Sequence, residues 1–388
     1  MKRPELALGL AIFVIAGVYF AFRSRSVEER HPRPTPPVVV DAGTPLPDAP
    51  PPPRALIRAM RPIMSTVYQI SIAAPDDRED AAQEAMDAAL DEVERLGVVL
   101  SEWRDDSEVS AINRGAGREA VPVGPDTMTN IEVSLDVARW TDGGFDITWA
   151  ALRGYYLFQA DEARVPDMDA VRARLPLIDW HDVVVDQAAS TVMLRREGMS
   201  IGLGGIAKGY AVDRASAILE EAGFHDFMIF GGGQVLVRGL REGRRWRVGI
   251  QHPRGDAYIG FLELTDCSIA TSGDYEHFFI AEDGTRWHHI IDLSTGLPAR
   301  ETSSVTIIAP TGLLADGFDT GCFVMGPERC LSRIAELSTP GPTGEPAMAG
   351  IEAVILDDEM RLFTTPGTRD RLTLRMPVTD DGRILPPE

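Results

Sequence analysis

Apolar residues recur along this chain in two rhythms, and the exchange of one for the other marks out its elements. TVYQISIA (residues 66–73) alternates at every second position, the period of a half-buried strand. From near Arg78 the period lengthens, and Met86, Leu90, Val93, Leu96 and Leu100 fall on one helical face. Residues 125–140 predict a second helix, with Pro125 in the first turn, where its missing N–H costs nothing. The aromatic-rich stretch after TDGGFDIT (Trp149, Tyr155, Tyr156, Phe158) reads as helical, 182–196 as a hairpin and 207–222 as a helix. Between 227 and 309 the segments are short and β-like: FMIFGG, QVLVRG, WRVGIQ, GFLELT, CSIATSG, HHIIDL and SVTIIAP. Helices over 313–323 and 328–337 and a hairpin at 351–364 complete the pattern, with no internal repeat. Helices come first and strands later, without regular βαβ alternation, so the fold class is α+β rather than a doubly wound sheet.

Upstream of this pattern the chain changes character. Lys2 and Arg3 precede an apolar run from Leu6 to Phe22, closed by Arg23 and Arg25. The run is short for a bilayer span but longer than most signal-peptide cores, and no clear small-x-small cleavage site follows it. An uncleaved signal anchor over 1–25 is therefore favoured over a cleaved signal. Basic residues on both flanks leave its orientation open. Residues 26–59 form a proline-rich tether (PRPTPP, PLPDAPPPP), a semi-rigid polyproline spacer. The expected organisation is a globular domain over 60–388, held off the outer face of a cytoplasmic membrane.

Charge and cysteines narrow the chemistry. A formal charge of -21 on 388 residues repels phosphate backbones, which argues against nucleic acid as a partner. A nucleotide ligand would need a local cation. The cysteines Cys267, Cys322 and Cys330 are odd in number and lack CxxC spacing, which argues against a disulfide scaffold or a thiolate zinc site. All three are expected to be small buried hydrophobes.

Four segments carry residue types suited to a pyrophosphate and a metal. In IGLGGIAKGYAVD (201–213) the glycines allow close backbone approach, the helix that follows offers free N–H groups, and Lys208 supplies positive charge. The order Ala-Lys-Gly excludes a Walker A loop. In LADGFDTG (314–321), Asp316, Asp319 and Thr320 lie at i, i+3 and i+4, on one helical face, as oxygen ligands fit for Mg²⁺. A capped helix start with solvated carboxylates is the plain alternative. TSGDYEHFF and HHIIDLSTG supply Ser272, Asp274, Tyr275, His289 and Asp292; His288 and His289 alternate sides of a strand, so at most one faces a given site. His289 and Asp274 are the candidate bases for a hydroxyl. LSEWRDDSEVSAIN and GGFDIT contribute Trp103, a plane for stacking, and Asp146, an acceptor for a ring N–H or a ribose hydroxyl. Each is singly as compatible with core or capping.

In this order, and with FGGGQVLVRG and WRVGIQHPR between them, the segments resemble the ApbE family of FAD:protein FMN transferases over roughly residues 60 to 330. The resemblance implies an ApbE-like, T-fold-related α+β domain. It implies an FAD site lined by Met64, Trp103, Gly144, Phe145, Asp146 and Lys208, with Ile291 and Asp292 beside it. It also implies a Mg²⁺ site from the Gly205 carbonyl, Asp316 and Thr320, with Asp319 a third side chain. The implied reaction moves FMN from FAD, as substrate, to an exposed Thr or Ser of a partner protein through a phosphoester, releasing AMP. Such enzymes act outside the cytoplasmic membrane. One departure stands out: the glycine loop of the family usually opens with Asp, and here that position is Gly202. Gln234 also stands where an acidic residue is common.

Overall fold

The computed structural model describes residues 42–45, 55–158, 162–340 and 349–385. The expected anchor at 1–25 lies outside the described residues, as does most of the tether. Among the described residues no helix is long and apolar enough to cross a membrane.

An eight-stranded antiparallel sheet organises the domain. Its strands are β1 (Ala55–Ile63), β2 (Thr66–Ala74), β3 (Phe227–Gly231), β4 (Gln234–Arg238), β5 (Cys267–Gly273), β6 (Thr302–Ala309), β7 (Glu352–Asp357) and β8 (Leu362–Thr364). Their order across the sheet is their order along the chain, and every neighbouring pair is antiparallel. The sheet begins at Ala55, inside the stretch expected to be tether. Residues Ala42–Pro45, also in that stretch, pair with Arg244–Gln251 in a separate four-stranded sheet.

Alternation along the strands sends side chains to two different cores. Ile70, Ile72, Ile229, Leu236, Val305, Ile307 and Ile355 face the helices. Met228, Val235, Val237, Ile269, Ile308 and Val354 face the other way, onto Trp246, Val248, Ile250 and Leu262 of the four-stranded sheet. This explains why β6 is buried at every position: a strand covered on both faces has no side to leave polar.

The helical layer is α1 (Glu79–Val99), α2 (Glu108–Gly115), α3 (Pro125–Trp140), α4 (Met168–Arg174), α5 (Ala207–Glu221), α6 (Gly312–Met325) and α7 (Pro327–Ser338). α1 buries Met86, Leu90, Val93 and Leu96, the face its periodicity marks. α2 and α4 have no counterpart in the hydrophobic pattern; each is short and starts on a polar cap, Ser107 and Asp167. The stretch expected to be helical after TDGGFDIT is only a 3₁₀ segment, Ile147–Leu152, followed by turns around Gly154. Its aromatics pack sideways instead: Tyr156 stacks on Phe158, and the Tyr156 hydroxyl donates to the Gly296 carbonyl.

α6 and α7 correct the reading of the cysteines. Cys322 and Cys330 form a disulfide, with Cα atoms 5.0 Å apart. Gly326, at φ 81°, turns the chain between the two helices and brings them together. Cys267 alone is a free, buried thiol.

Candidate functional site

The glycine loop is fixed by a residue far upstream. Asn113, at the end of SEVSAIN, donates to the Ile201 carbonyl and accepts from the Ile201 N–H, at 2.9 and 2.7 Å. The Gly202 N–H donates to the Ile147 carbonyl, and the Trp149 indole N–H donates to the Gly202 carbonyl. The loop thus hangs between α2 and the 3₁₀ segment before entering α5.

α5 and α6 cross at Gly209 and Gly312. A Cβ on Gly209 would collide with the Gly312 carbonyl, so only glycine permits this approach. The crossing brings Lys208 to the acidic face of α6. Its Nζ donates to the Gly204 carbonyl at 2.7 Å and lies 3.4 Å from Asp316 Oδ1, while the Gly209 N–H donates to Asp316 Oδ2. Asp213, one turn on, accepts from the N–H groups of Gly312 and Leu313 and so caps α6.

Asp316, Asp319 and Thr320 do share one face of α6, and both carboxylates are buried. Burial comes first, and Asp316 second, among the causes that push the Asp319 carboxyl well above the ordinary range; Lys208 opposes them. The Thr320 hydroxyl donates to Asp319 Oδ1 at 3.1 Å, and Ser272 Oγ at the end of β5 lies 3.4 Å from Thr320 Oγ1. Gly205 sits against this cluster, its α-carbon facing Thr320 Oγ1 and the Phe145 ring. Gly205, Lys208, Asp316, Asp319 and Thr320 are therefore one constellation, joined by Ser272. Among the described residues no three His, Cys, Asp or Glu side chains cluster as a metal cage. The oxygens here are of mixed origin: two carboxylates, two hydroxyls and a loop backbone.

Met64 occupies the tight turn between β1 and β2 with φ 49°, a left-handed conformation unusual for its type. The buried Tyr68 hydroxyl donates to its sulfur. Thr66 beside it packs near Gly232, which in turn faces the Lys208 stem. Trp103 is 71% exposed, with the Arg153 guanidinium 5.3 Å from its ring centroid. Gly144 packs close to the Gly321 carbonyl of α6. It also lines a cleft of about 550 Å³ together with Asp292, Ser294, Arg329 and Arg333. The cleft contains none of the Lys208–Asp316 residues; the Gly144–Phe145 segment joins the two regions. Ile291 pairs with Pro298 in the short hairpin that carries Asp292.

Two of the acids selected from the sequence are engaged elsewhere. Both oxygens of Asp274 are held by Arg254, at 2.6 and 2.7 Å, with Arg286 at 3.9 Å. Both its oxygens are engaged by arginine, so it is placed as an anchor for Arg254 rather than as the base its sequence position suggests. Asp146 accepts from the Thr148 N–H and hydroxyl and from the Trp180 N–H, and burial pushes its carboxyl up to about 6. It caps the 3₁₀ segment, and Oδ2, which accepts only from Trp180, is the oxygen with capacity left for a ligand. Gln234 is likewise internal, donating to Ser268 and to the Gly312 carbonyl, which an acid could not do.

His289 is the histidine left open. His288 is buried, its Nε2 on the Ala299 carbonyl oxygen. His289 is exposed, its ring edge-on to His277. Loss of solvent, then His277 and His288, lower its imidazole from the ordinary value, so the ring is neutral at neutral pH. Ser272, Asp213 and the disulfide are the site's features that residue patterns did not single out for a role.

Comparison with known proteins fits this geometry. The sequence model of the ApbE family matches residues 64–340. The FAD:protein FMN transferase of Treponema pallidum is 33% identical over 306 residues, covering 74% of this chain and 81% of the relative. That of Escherichia coli K12 is 31% identical over 277 residues, covering 69% of this chain and 77% of its own. Among solved structures, the ApbE protein of Thermotoga maritima superposes with a TM-score of 0.69 at 31% identity, over 81% of this chain and 98% of its own. The flavin transferase ApbE of Vibrio cholerae superposes with a TM-score of 0.67 at 26% identity, over 82% and 100%. With a family match spanning most of its length and relatives above 30% identity, this chain belongs to the ApbE family.

Proposed function

We propose that this protein transfers FMN from FAD to a Thr or Ser hydroxyl of a partner protein, forming a phosphoester and releasing AMP. The observation that carries the reading is the constellation of Lys208, Asp316, Asp319 and Thr320 beneath an open glycine loop. The names of the relatives, FAD:protein FMN transferases, support the same chemistry.

Mg²⁺ fits the donor set. Two buried carboxylates lie side by side, and burial first, then Asp316, push Asp319 towards its neutral form; a divalent cation would let both ionise where Lys208 alone offsets only one. Asp316, Asp319, Thr320 and the Gly205 carbonyl would hold the ion, which neutralises phosphoryl charge when bound. Lys208, in the first turn of α5, gives the phosphates a fixed cation. Trp103 presents a plane for an aromatic ring of FAD. The acceptor oxygen attacks the FMN phosphorus, the pyrophosphate P–O bond breaks, and AMP leaves with its electron pair. The hydroxyl proton passes to an imidazole nitrogen of His289, which is unprotonated and exposed at neutral pH.

The site works on the outer side of the cytoplasmic membrane. The Cys322–Cys330 bond supports an oxidising compartment, since cytosolic thiols stay reduced. The apolar run from Leu6 to Phe22 supports attachment to the membrane.

The test incubates the full-length protein with FAD, Mg²⁺ and a flavin-acceptor domain, and reads intact mass. The expected result is an FMN-sized addition to the acceptor that EDTA abolishes. Free FMN and AMP without an adduct would make the protein an FAD pyrophosphatase. Bound but unreacted FAD, on an acceptor that a known family member modifies, would make it a binder.

A further inference from the structure

One acid beside the glycine loop has no part in the chemistry above. Glu102 is 6% exposed, an unusual setting for a carboxylate. Its neighbours explain what keeps it there. A Cβ placed on Gly202 would lie 2.9 Å from the Trp149 ring and 3.2 Å from Glu102 Oε1; one on Gly204 would lie 3.3 Å from the same oxygen. The Glu102 carboxylate thus fills the side-chain space of two loop positions, and Gly202 is what leaves it room. The Leu203 N–H donates to it, and Arg153 and Lys208 are the cations that act on it; burial outweighs them and raises its pKa. Arg153 also donates to the Glu102 carbonyl, which fixes the residue from its other end.

The order of groups across the surface gives the carboxylate a use. Trp103, next in the chain, is the exposed aromatic plane. Gly204, on the other side, is exposed and accepts the Lys208 ammonium that leads to Asp316. Glu102 therefore stands between a ring platform and a phosphate cation. In a dinucleotide such as FAD, the piece between ring and phosphate is a hydroxyl-bearing sugar, and a carboxylate accepts strongly from such hydroxyls.

Resting on the function proposed above, we infer that Glu102 is the acceptor for the sugar hydroxyls of the bound nucleotide, placed there by the absence of a side chain at Gly202. The loop has not lost a carboxylate function; an acid from the turn between α1 and α2 delivers it through the gap.

The shared chemistry has two sources, the ribityl chain of the flavin half and the ribose of the adenylate half, and ligand binding separates them. Calorimetry would compare FMN with its analogue lacking the ribityl hydroxyls, and AMP with 2′,3′-dideoxy-AMP, on the wild-type protein, Glu102→Gln and Glu102→Ala. The wild type is expected to prefer the hydroxylated ligand about tenfold or more in one of the two pairs, the scale of a hydrogen bond to a charged group. Glu102→Ala should abolish that preference and Glu102→Gln should reduce it at least about threefold. Loss in the FMN pair assigns the ribityl chain; loss in the AMP pair assigns the ribose. Because the readout is a ratio of two ligands on one protein, general loosening of the loop does not imitate it. Preferences unchanged in Glu102→Gln would overturn the inference while leaving the transferase reading intact. A wild-type protein that binds FAD, FMN and AMP not at all would overturn both.

Discussion

The Gly312 N–H donates to Asp213 Oδ1 at 2.6 Å, so the helix that carries the buried acid pair begins on a side chain of the helix that carries Lys208. The second oxygen of Asp213 takes the Leu313 N–H, and Thr311 caps the same turn. The two halves of the constellation are thereby set in register by one residue that touches neither.

Loss of that cap is measurable. Asp213→Ala should lower stability by about 1–2 kcal/mol in urea unfolding, the usual cost of a lost helix cap. Burial raises the Asp213 carboxyl to about 6. A folded-state value above the unfolded one adds stability that is complete below about pH 4 and fades as pH climbs through 6. The margin of wild type over Asp213→Asn should therefore be widest near pH 4 and narrow towards pH 7. A margin that grows with pH would contradict this.

Asp319→Asn should separate stability from function. It removes a buried acid next to Asp316, so the unfolding midpoint in EDTA should rise or stay level. FMN transfer should fall by two orders of magnitude or more, on the order of 3 kcal/mol of barrier. Adding Mg²⁺ should raise the melting temperature of the wild type and not that of the variant. An Mg²⁺ response retained in Asp319→Asn would remove this residue from the metal set.

His289 makes a prediction about pH. An ordinary histidine base would cut kcat/KM below about pH 6.5. With its imidazole lowered, the acid limb should lie below pH 6.5. His289→Ala should lose transfer while keeping FAD affinity, read by flavin fluorescence titration. Loss of affinity with transfer intact would assign it to binding alone.

The Cys322–Cys330 bond closes a short loop, and its removal by Cys322→Ala with Cys330→Ala should cost about 2–3 kcal/mol of stability. Since the bond ties the far end of α6 to α7, the apparent Mg²⁺ requirement should rise as well. Equal denaturation curves with and without reductant would show that the bond carries no stability.

How much of this the sequence disclosed depends on how far apart the partners lie. Asp316, Asp319 and Thr320 were legible because helical spacing alone puts them on one face. Asp213 was not, because the groups it caps lie about a hundred residues further on. Asp274 has the right chemistry for a base, but Arg254, twenty residues earlier, closes around it. Asp146 is turned inward by local partners of the same kind, Thr148 and Trp180, which hold it as a cap. Gly202 signalled a change without its remedy: Glu102 is a hundred positions upstream and reaches the loop only after folding. The α+β class was visible in the run of short strands, but a helix could not be told from a 3₁₀ turn at Ile147–Leu152, where packing of aromatics rather than periodicity decides.

The sheet's strand order bears on how such a chain is made. Because β1 to β8 lie side by side in the order in which they are synthesised, no strand has to be wedged between two that are already paired. Each adds to an open edge, and the only long wait is at β2, whose outer edge stays bare until residues 75–226 have passed and β3 arrives. A chain delivered N-terminus first can grow by accretion, provided that one edge is shielded meanwhile. The first helix to follow β2, α1, lies over that hairpin and is available to stabilise it from one face while the edge waits.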